Sequence, residues 1–346
     1  MEYSEKINQK SFLELDESDR IGLIKRFGEK EFRLEQINNW IYKHCVNSWK
    51  DMKNIPCQLI DQLNEKINLY PLTIEKITGK DEHSTRKFLL RTKKLNKIES
   101  VLMPDKKRNT ICISSQSGCA LDCKFCATAS MGFLQNLNPA EIVNQMIFLQ
   151  KSSNIKITNV VFMGMGEPFL NYNNVMKAAS IIRKNFNIGS RKITISTAGI
   201  ASKIKQMADD KHGYKLAISL NASSEEVRMK IMPITDKYSL LELIESAQYY
   251  YHKIKRFITF EYVLLKDVND TKEDAVNLAK LLKPLPCKLN IIPYNEIDGD
   301  YSRPSNEVIN EFVNKLSSYP FNVTIRWSKG TDIEAGCGQL ALKDGN

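Results

Sequence analysis

Between Thr110 and Trp327 the chain alternates short apolar runs with amphipathic stretches, and no other feature narrows its possible folds as much. TICISS, ITNVVFM, RKITIST, KLAISL, FITFEYVLL and KLNII are six strand candidates, and NVTIRW is a seventh. They are rich in β-branched residues and shorter than an ordinary helix. The stretches between them carry helix signals. Asn138-Pro139-Ala140-Glu141 offers a cap, a proline at the first turn and an early carboxylate, and Ile142, Met146 and Leu149 then mark one face. Thr271 and Asp274 form a similar cap before AVNLAKLL. Strands separated by helices run the same way, so the pattern predicts an α/β fold with a parallel sheet, either open or an incomplete barrel. Ligands in such folds gather at the C-terminal strand ends. Cys119–Cys126, Gly164–Pro168, Ser196 and Ser219–Asn221 all fall there.

The first third of the chain reads differently. Leu34, Ile37, Ile41 and Cys45 recur at helical spacing, as do Leu59, Leu63 and Ile67 after Pro56. Residues 72–78, 86–92 and 97–103 look like strands, with turn signals at Gly79–Lys80 and Lys93–Asn96. Four segments are expected: a helical accessory domain (1–70), a β-rich basic linker (71–109), the strand–helix body (110–320) and a C-terminal strand and tail (321–346). No apolar run approaches the length of a membrane span, and MEYSEKINQK has no apolar signal core. A soluble, cytoplasmic protein without a membrane partner is expected.

Cysteine usage agrees with a reducing compartment. Of eight cysteines, Cys112, Cys119, Cys123 and Cys126 fall within fifteen residues, which suits a metal or redox site better than a disulfide framework. Cys119-Ala-Leu-Asp-Cys123-Lys-Phe-Cys126 is a C-x3-C-x2-C loop. Three thiolates this close in sequence can wrap one face of an iron–sulfur cluster and leave one iron open. Structural zinc is the alternative, but it wants four ligands, and neither a second cysteine pair nor a histidine lies near.

The loop, with Phe125 before its last cysteine, resembles the signature of the radical S-adenosylmethionine (SAM) superfamily. SSQSGCALDCKFCATASMGF, VVFMGMGEPFLNYNNV, KITISTAGI, LAISLNA, NIIPYN and GTDIEAGCGQL resemble, in order, the blocks of the RlmN/Cfr ribosomal RNA methyltransferases. FRLEQINNWIYK resembles the accessory helical domain of the RlmN branch. The resemblance spans residues 30 to 341. It implies a partial parallel (β/α)6 radical SAM barrel with an N-terminal helical domain and a C-terminal active-site tail. It also implies a 4Fe-4S cluster held by Cys119, Cys123 and Cys126, with SAM chelated at the open iron.

The implied reaction is methylation of an adenine carbon, carbon 2 in the RlmN branch and carbon 8 in the Cfr branch. One SAM methylates a cysteine, and a second supplies the radical that activates that methyl group. Cys337, in Ala335-Gly336-Cys337-Gly338, matches the methyl carrier. By pattern alone it is a tail thiol between glycines. Cys112 alternates with Ile111 and Ile113 and reads as a small core residue, whereas the resemblance makes it the thiol that resolves the RNA adduct by a transient disulfide. Glu99 lies on the face shared with Val101 and Met103, either at a rim or poised for proton transfer, and it matches the family's proton acceptor. Gly166, Glu167, Ser196, Ser219, Leu220, Asn221 and Asn295 match the SAM-contact blocks. Two positions depart from the family: Asn221 stands where histidine is common, and Gln135 where arginine is usual.

The formal net charge of +10 permits a polyanionic partner. Ten basic residues against four acidic ones between 80 and 108 put +6 in one stretch. Phosphate contacts are expected there. The expected substrate is 23S ribosomal RNA, with transfer RNA as a second, and the implied electron donor is a flavodoxin or ferredoxin. A monomer is expected. The rival readings are a Cfr-type carbon-8 enzyme and a non-catalytic, zinc-containing RNA-binding protein.

Overall fold

The computed structural model describes residues 10–81, 83–106 and 108–342, so Glu82 and Lys107 of the basic stretch lie outside the described residues. The chain opens with three helices: α1 (Glu17–Arg26), α2 (Arg33–Tyr42) and α3 (Cys57–Lys66). Asp16 caps α1 by accepting from the Asp19 amide at 2.8 Å. The helices bury the apolar stripes that their sequences announce, Leu34, Ile37 and Ile41 on α2 and Leu59 and Leu63 on α3. Trp49 locks this unit, with its indole N–H on the Ile67 carbonyl at 2.9 Å and its ring edge-to-face with Phe12.

Strands β1 (Leu72–Thr78), β2 (Arg86–Thr92) and β3 (Lys97–Met103) form an antiparallel meander. Its last strand pairs with β4 (Thr110–Cys112), so the stretch read as a linker is the edge of the main sheet. A two-stranded hairpin follows, β5 (Gln116–Gly118) and β6 (Phe133–Asn136). The body then alternates α4 (Pro139–Lys151), β7 (Asn159–Phe162), α5 (Tyr172–Asn185), β8 (Ile193–Thr197), α6 (Ala201–Asp209) and β9 (Lys215–Ser219). It continues through α7 (Glu225–Ile231), α8 (Leu240–Ile254), β10 (Ile258–Leu264), α9 (Lys272–Leu282), β11 (Cys287–Pro293), α10 (Asn306–Leu316) and β12 (Asn322–Ile325).

The ten-stranded sheet has the order β1-β2-β3-β4-β7-β8-β9-β10-β11-β12, parallel from β4 onward. Its two edge strands do not meet, so the barrel is partial. The expected α/β class and incomplete barrel are both present. Between β4 and β5 the TICISS run leaves the ladder early. The Ser114 amide turns to Gln145 Oε1 at 2.7 Å, and the Ser115 amide to the Met165 carbonyl at 2.9 Å. Among the described residues no helix is long and apolar enough to cross a membrane.

The basic stretch is divided by this topology. Lys93 and Lys94 turn at the end of the sheet that carries the C-terminal ends of the parallel strands. Lys80, Lys106 and Arg108 lie at the opposite end, as the antiparallel register requires. Several of its charges are already paired: Lys87 with Glu99, Arg91 and Lys97 with Glu75, and Lys93 with Glu14.

Candidate active site

Five thiols from three parts of the chain reach one cavity at the C-terminal strand ends: Cys112 of β4, Cys119, Cys123 and Cys126 of the following loop, and Cys337 of the tail. The loop is tied on both sides. The Lys124 amide donates to the Ile231 carbonyl at 3.0 Å, at the end of α7, and the Ala127 amide donates to Gly338 of the tail at 2.8 Å. Leu121 and Phe125 pack with Ile231, Met232, Leu265 and Tyr294 in a small apolar cluster against which all three loop cysteines rest. Phe125 therefore holds the loop by packing.

No thiol here is bridged. Burial pushes Cys119 up to about 12 and Cys123 and Cys126 upward, and the neighbouring thiols and Glu167 add to the rise at Cys123. Buried thiols of this kind ionise against a strong positive charge, which a metal supplies. Among the described residues no three His, Cys, Asp or Glu side chains close on one point fit for a single metal ion. Cys119, Cys123 and Cys126 line the same cavity, and soft sulfur donors from one loop fit an iron–sulfur cluster.

Glu167 faces the same cavity from the loop after β7. Its carboxylate accepts from the Phe169 amide at 2.9 Å and the Ala198 amide at 2.7 Å, yet desolvation wins and lifts it to about 7. Gly166 precedes it at φ +91°, and a Cβ there would sit 2.4 Å from Gln116 Cβ, so only glycine admits this backbone.

Gly166, Ser196, Ser219, Asn221 and Asn295 all line the cavity with Glu167. Leu220 does not: it is fully buried behind the wall. Asn221 adopts φ +58°, a left-handed conformation that asparagine tolerates better than most residues. Its amide is already engaged, donating to Met232 Sδ at 3.2 Å and accepting from the Val263 amide at 2.9 Å. Asn295 donates to the Cys337 carbonyl at 3.0 Å and to Ser328 Oγ at 2.7 Å, so it holds the tail. Gln135 lies away from the cavity lining, between Asn96 at 2.7 Å and Glu141 at 3.3 Å.

Cys337 is exposed and lines the open cavity. Desolvation raises it, the Arg326 guanidinium pulls it back, and Glu261 and Cys126 push it up again. Cys112 is pushed up to about 12 by burial and, next, by Cys337. Glu99 is buried under the tail, paired with Lys87, and its backbone carbonyl accepts from Ser114 Oγ at 2.6 Å. Cys45 and Cys287 are buried away from the site, and Cys57 is exposed.

Sequence reasoning missed the pair Glu261 and Arg326, whose charged atoms lie 3.6 Å apart across the cavity floor. Asn290 of the intervening β11 donates to Glu261 at 3.0 Å and accepts from Thr324 at 2.6 Å, giving a polar row over three strands. Single charged residues inside FITFEYVLL and NVTIRW were the available signal.

Residues 113–282 match the Radical SAM superfamily, and residues 11–69 match the ribosomal RNA large subunit methyltransferase N-terminal domain. A "probable dual-specificity RNA methyltransferase RlmN" of Clostridium botulinum (strain Alaska E43 / Type E3) is 47% identical over 320 residues, 92% of each chain. Its counterpart in Dictyoglomus thermophilum is 43% identical over 337 residues, 95% of this chain and 96% of the other. The crystal structure of a radical SAM methyltransferase from Sphaerobacter thermophilus superposes with a TM-score of 0.91 at 37% identity, covering 95% of this chain and 98% of that one.

Proposed function

The chain belongs to the RlmN family of radical SAM RNA methyltransferases, and from that premise we propose that it methylates carbon 2 of an adenosine in 23S ribosomal RNA through a methyl-cysteine intermediate. The observation that carries this reading is the meeting of Cys112 and Cys337 with the three loop cysteines in one cavity. A methyltransferase that moved the methyl group directly from SAM would need neither of those two thiols.

Cys119, Cys123 and Cys126 would hold a 4Fe-4S cluster, which would supply the electron that splits SAM into methionine and a 5′-deoxyadenosyl radical. Glu167 accepts from the SAM amino group, Gly166 allows its close approach, and Ser196, Ser219 and Asn221 line the rest of its pocket. The Cys337 thiolate displaces S-adenosylhomocysteine from a first SAM and keeps the methyl group. With a second SAM, a hydrogen atom would leave that methyl group for the 5′-deoxyadenosyl radical, and the resulting carbon radical would add to the electron-poor adenine carbon. The adduct radical would lose one electron, back to the oxidised cluster, and its ring proton to Glu99. The Cys112 thiolate then attacks the Cys337 sulfur, forms the disulfide and breaks the carbon–sulfur bond, whose electron pair stays on the freed methylene and takes up a proton to complete the methyl group; an external thiol reductant restores both thiols. A flavodoxin or ferredoxin supplies electrons to the cluster.

The "dual-specificity" in the relatives' names supports a second RNA, which we take to be transfer RNA. The target base leaves its stack to reach the cavity, so a folded RNA with a splayed nucleotide is the fitting substrate. Nucleoside mass spectrometry of ribosomal and transfer RNA, from cells with and without the protein, tests the reading. 2-Methyladenosine that depends on the protein is expected, and 8-methyladenosine in its place would overturn the regiochemistry.

A further inference from the structure

The tail that carries Cys337 is gripped on either side of that thiol by one ion pair. Lys87 of β2 and Glu99 of β3 share the sheet face of Val101 and Cys112, because the register pairs Lys87 with Val101, Leu89 with Glu99, and Val101 with Cys112. Lys87 Nζ lies 3.1 Å from Glu99 Oε1, with the two side chains only 14% and 4% exposed. Each partner also holds the tail. Lys87 Nζ donates to the Glu334 carbonyl at 3.3 Å, and Glu99 Oε2 accepts from the Ala341 amide at 3.1 Å. Glu334 and Ala341 stand three residues before and four after Cys337.

The tail's other tethers are weaker in kind. Asn295 to the Cys337 carbonyl, Thr128 to the Leu340 carbonyl and the Ala127 amide to the Gly338 carbonyl are neutral hydrogen bonds. The Lys329–Asp105 pair is half exposed and therefore screened. A charge-assisted contact held out of water is the strong one.

We propose that Lys87, with Glu99, is a positioning clasp that sets Cys337 between the SAM side of the cavity and Cys112. The clasp deepens the assignment of Cys337 as methyl carrier and rests on it.

Hydrogen exchange on the full-length, cluster-loaded protein under anaerobic reducing conditions tests this without turnover. Lys87→Met and Glu99→Gln should each speed exchange of the 334–341 amides several-fold. Both should speed alkylation of Cys337 by iodoacetamide relative to Cys57, an exposed internal reference. Lys87→Arg keeps the pair and should behave as the parent. In methylation assays Lys87→Met should lower kcat and leave the KM for RNA unchanged. Unchanged exchange in Lys87→Met and Glu99→Gln would overturn the clasp. So would faster exchange spread through β1–β4, which marks a fold residue, or a raised KM alone, which marks an RNA contact. Failure of the underlying reading shows separately, as an unmethylated Cys337 in the intact mass of the SAM-treated parent.

Discussion

Cys112 and Cys337 differ in their surroundings, and the difference suits them to different steps. Cys112 sits within a strand and is held at about 12 mainly by burial, so it is a poor nucleophile at rest. Cys337 faces the open cavity with Arg326 opposing the rise that desolvation causes, the better setting for attack on a sulfonium methyl. Cys112→Ala should therefore leave methyl transfer to Cys337 intact and stop the cycle after one addition. RNA covalently attached through Cys337 should appear on denaturing gels, and free methylated RNA at normal yield would refute the role of Cys112. Glu167 gives a pH test. Its ordinary value of 4.5 is raised to about 7, so it is mostly protonated below that pH in the SAM-free protein. The SAM ammonium prefers the carboxylate, so affinity should rise with pH up to about 7 and level off above it. The slope limit is about tenfold per unit. Anaerobic calorimetry between pH 5.5 and 8 measures this, and a flat profile would remove Glu167 from the SAM site. Chemistry at this scale was legible where spacing carries it, as in Cys119, Cys123 and Cys126. Glu261 and Arg326 showed only as lone charges inside apolar runs, and Lys87 was not legible, because what singles it out is strand register, which appears only once the sheet is formed.

The elements divide in the same way. Residues 72–78, 86–92 and 97–103 form β1, β2 and β3 at the expected bounds, since two clear turns delimit them. The β5–β6 hairpin escaped the sequence reading because Phe133, Leu134 and Asn136 are exposed, leaving no alternation to read. Helix α7 is only seven residues long, yet it organises two strand ends. Its Arg228 is fully buried and donates to the carbonyls of Ala198 at 2.5 Å and Leu220 at 3.1 Å, and to Thr235 Oγ1 at 2.8 Å. Ala198 in turn donates its amide to Glu167, so one guanidinium braces strand ends at the cavity. Removing it strands buried acceptors at about 1–3 kcal/mol each, which outweighs the relief of burying one charge fewer. Arg228→Met should lower stability by roughly 2–4 kcal/mol, read as an earlier thermal unfolding midpoint. SAM affinity should fall with it. A midpoint equal to the parent's would show that the acceptors find other partners.

For the whole molecule, sheet direction decides which charges meet the substrate. All the cavity's chemistry lies at one end of the parallel strands, and the antiparallel meander runs past it for seven residues per strand. At about 3.3 Å per residue its two ends are roughly 20 Å apart, about two Debye lengths at physiological salt. The +6 stretch that reads as one patch in sequence is thus two patches in space. Among the described residues, Lys80, Lys94, Lys106 and Arg108 are exposed and make no ion pair, and only Lys94 lies at the cavity end. A nucleotide delivered into the cavity brings its flanking phosphates to that end. Each phosphate neutralised there should steepen the salt dependence of binding by about 0.7–0.9 in log K against log salt. Fluorescence anisotropy with an RNA stem-loop between 50 and 200 mM salt should show Lys94→Gln losing about one unit of slope. The double variant Lys80→Gln, Lys106→Gln should change it far less. Equal losses per charge at both ends would mean that the RNA wraps the whole meander, and the placement of the RNA over the cavity end alone would fall.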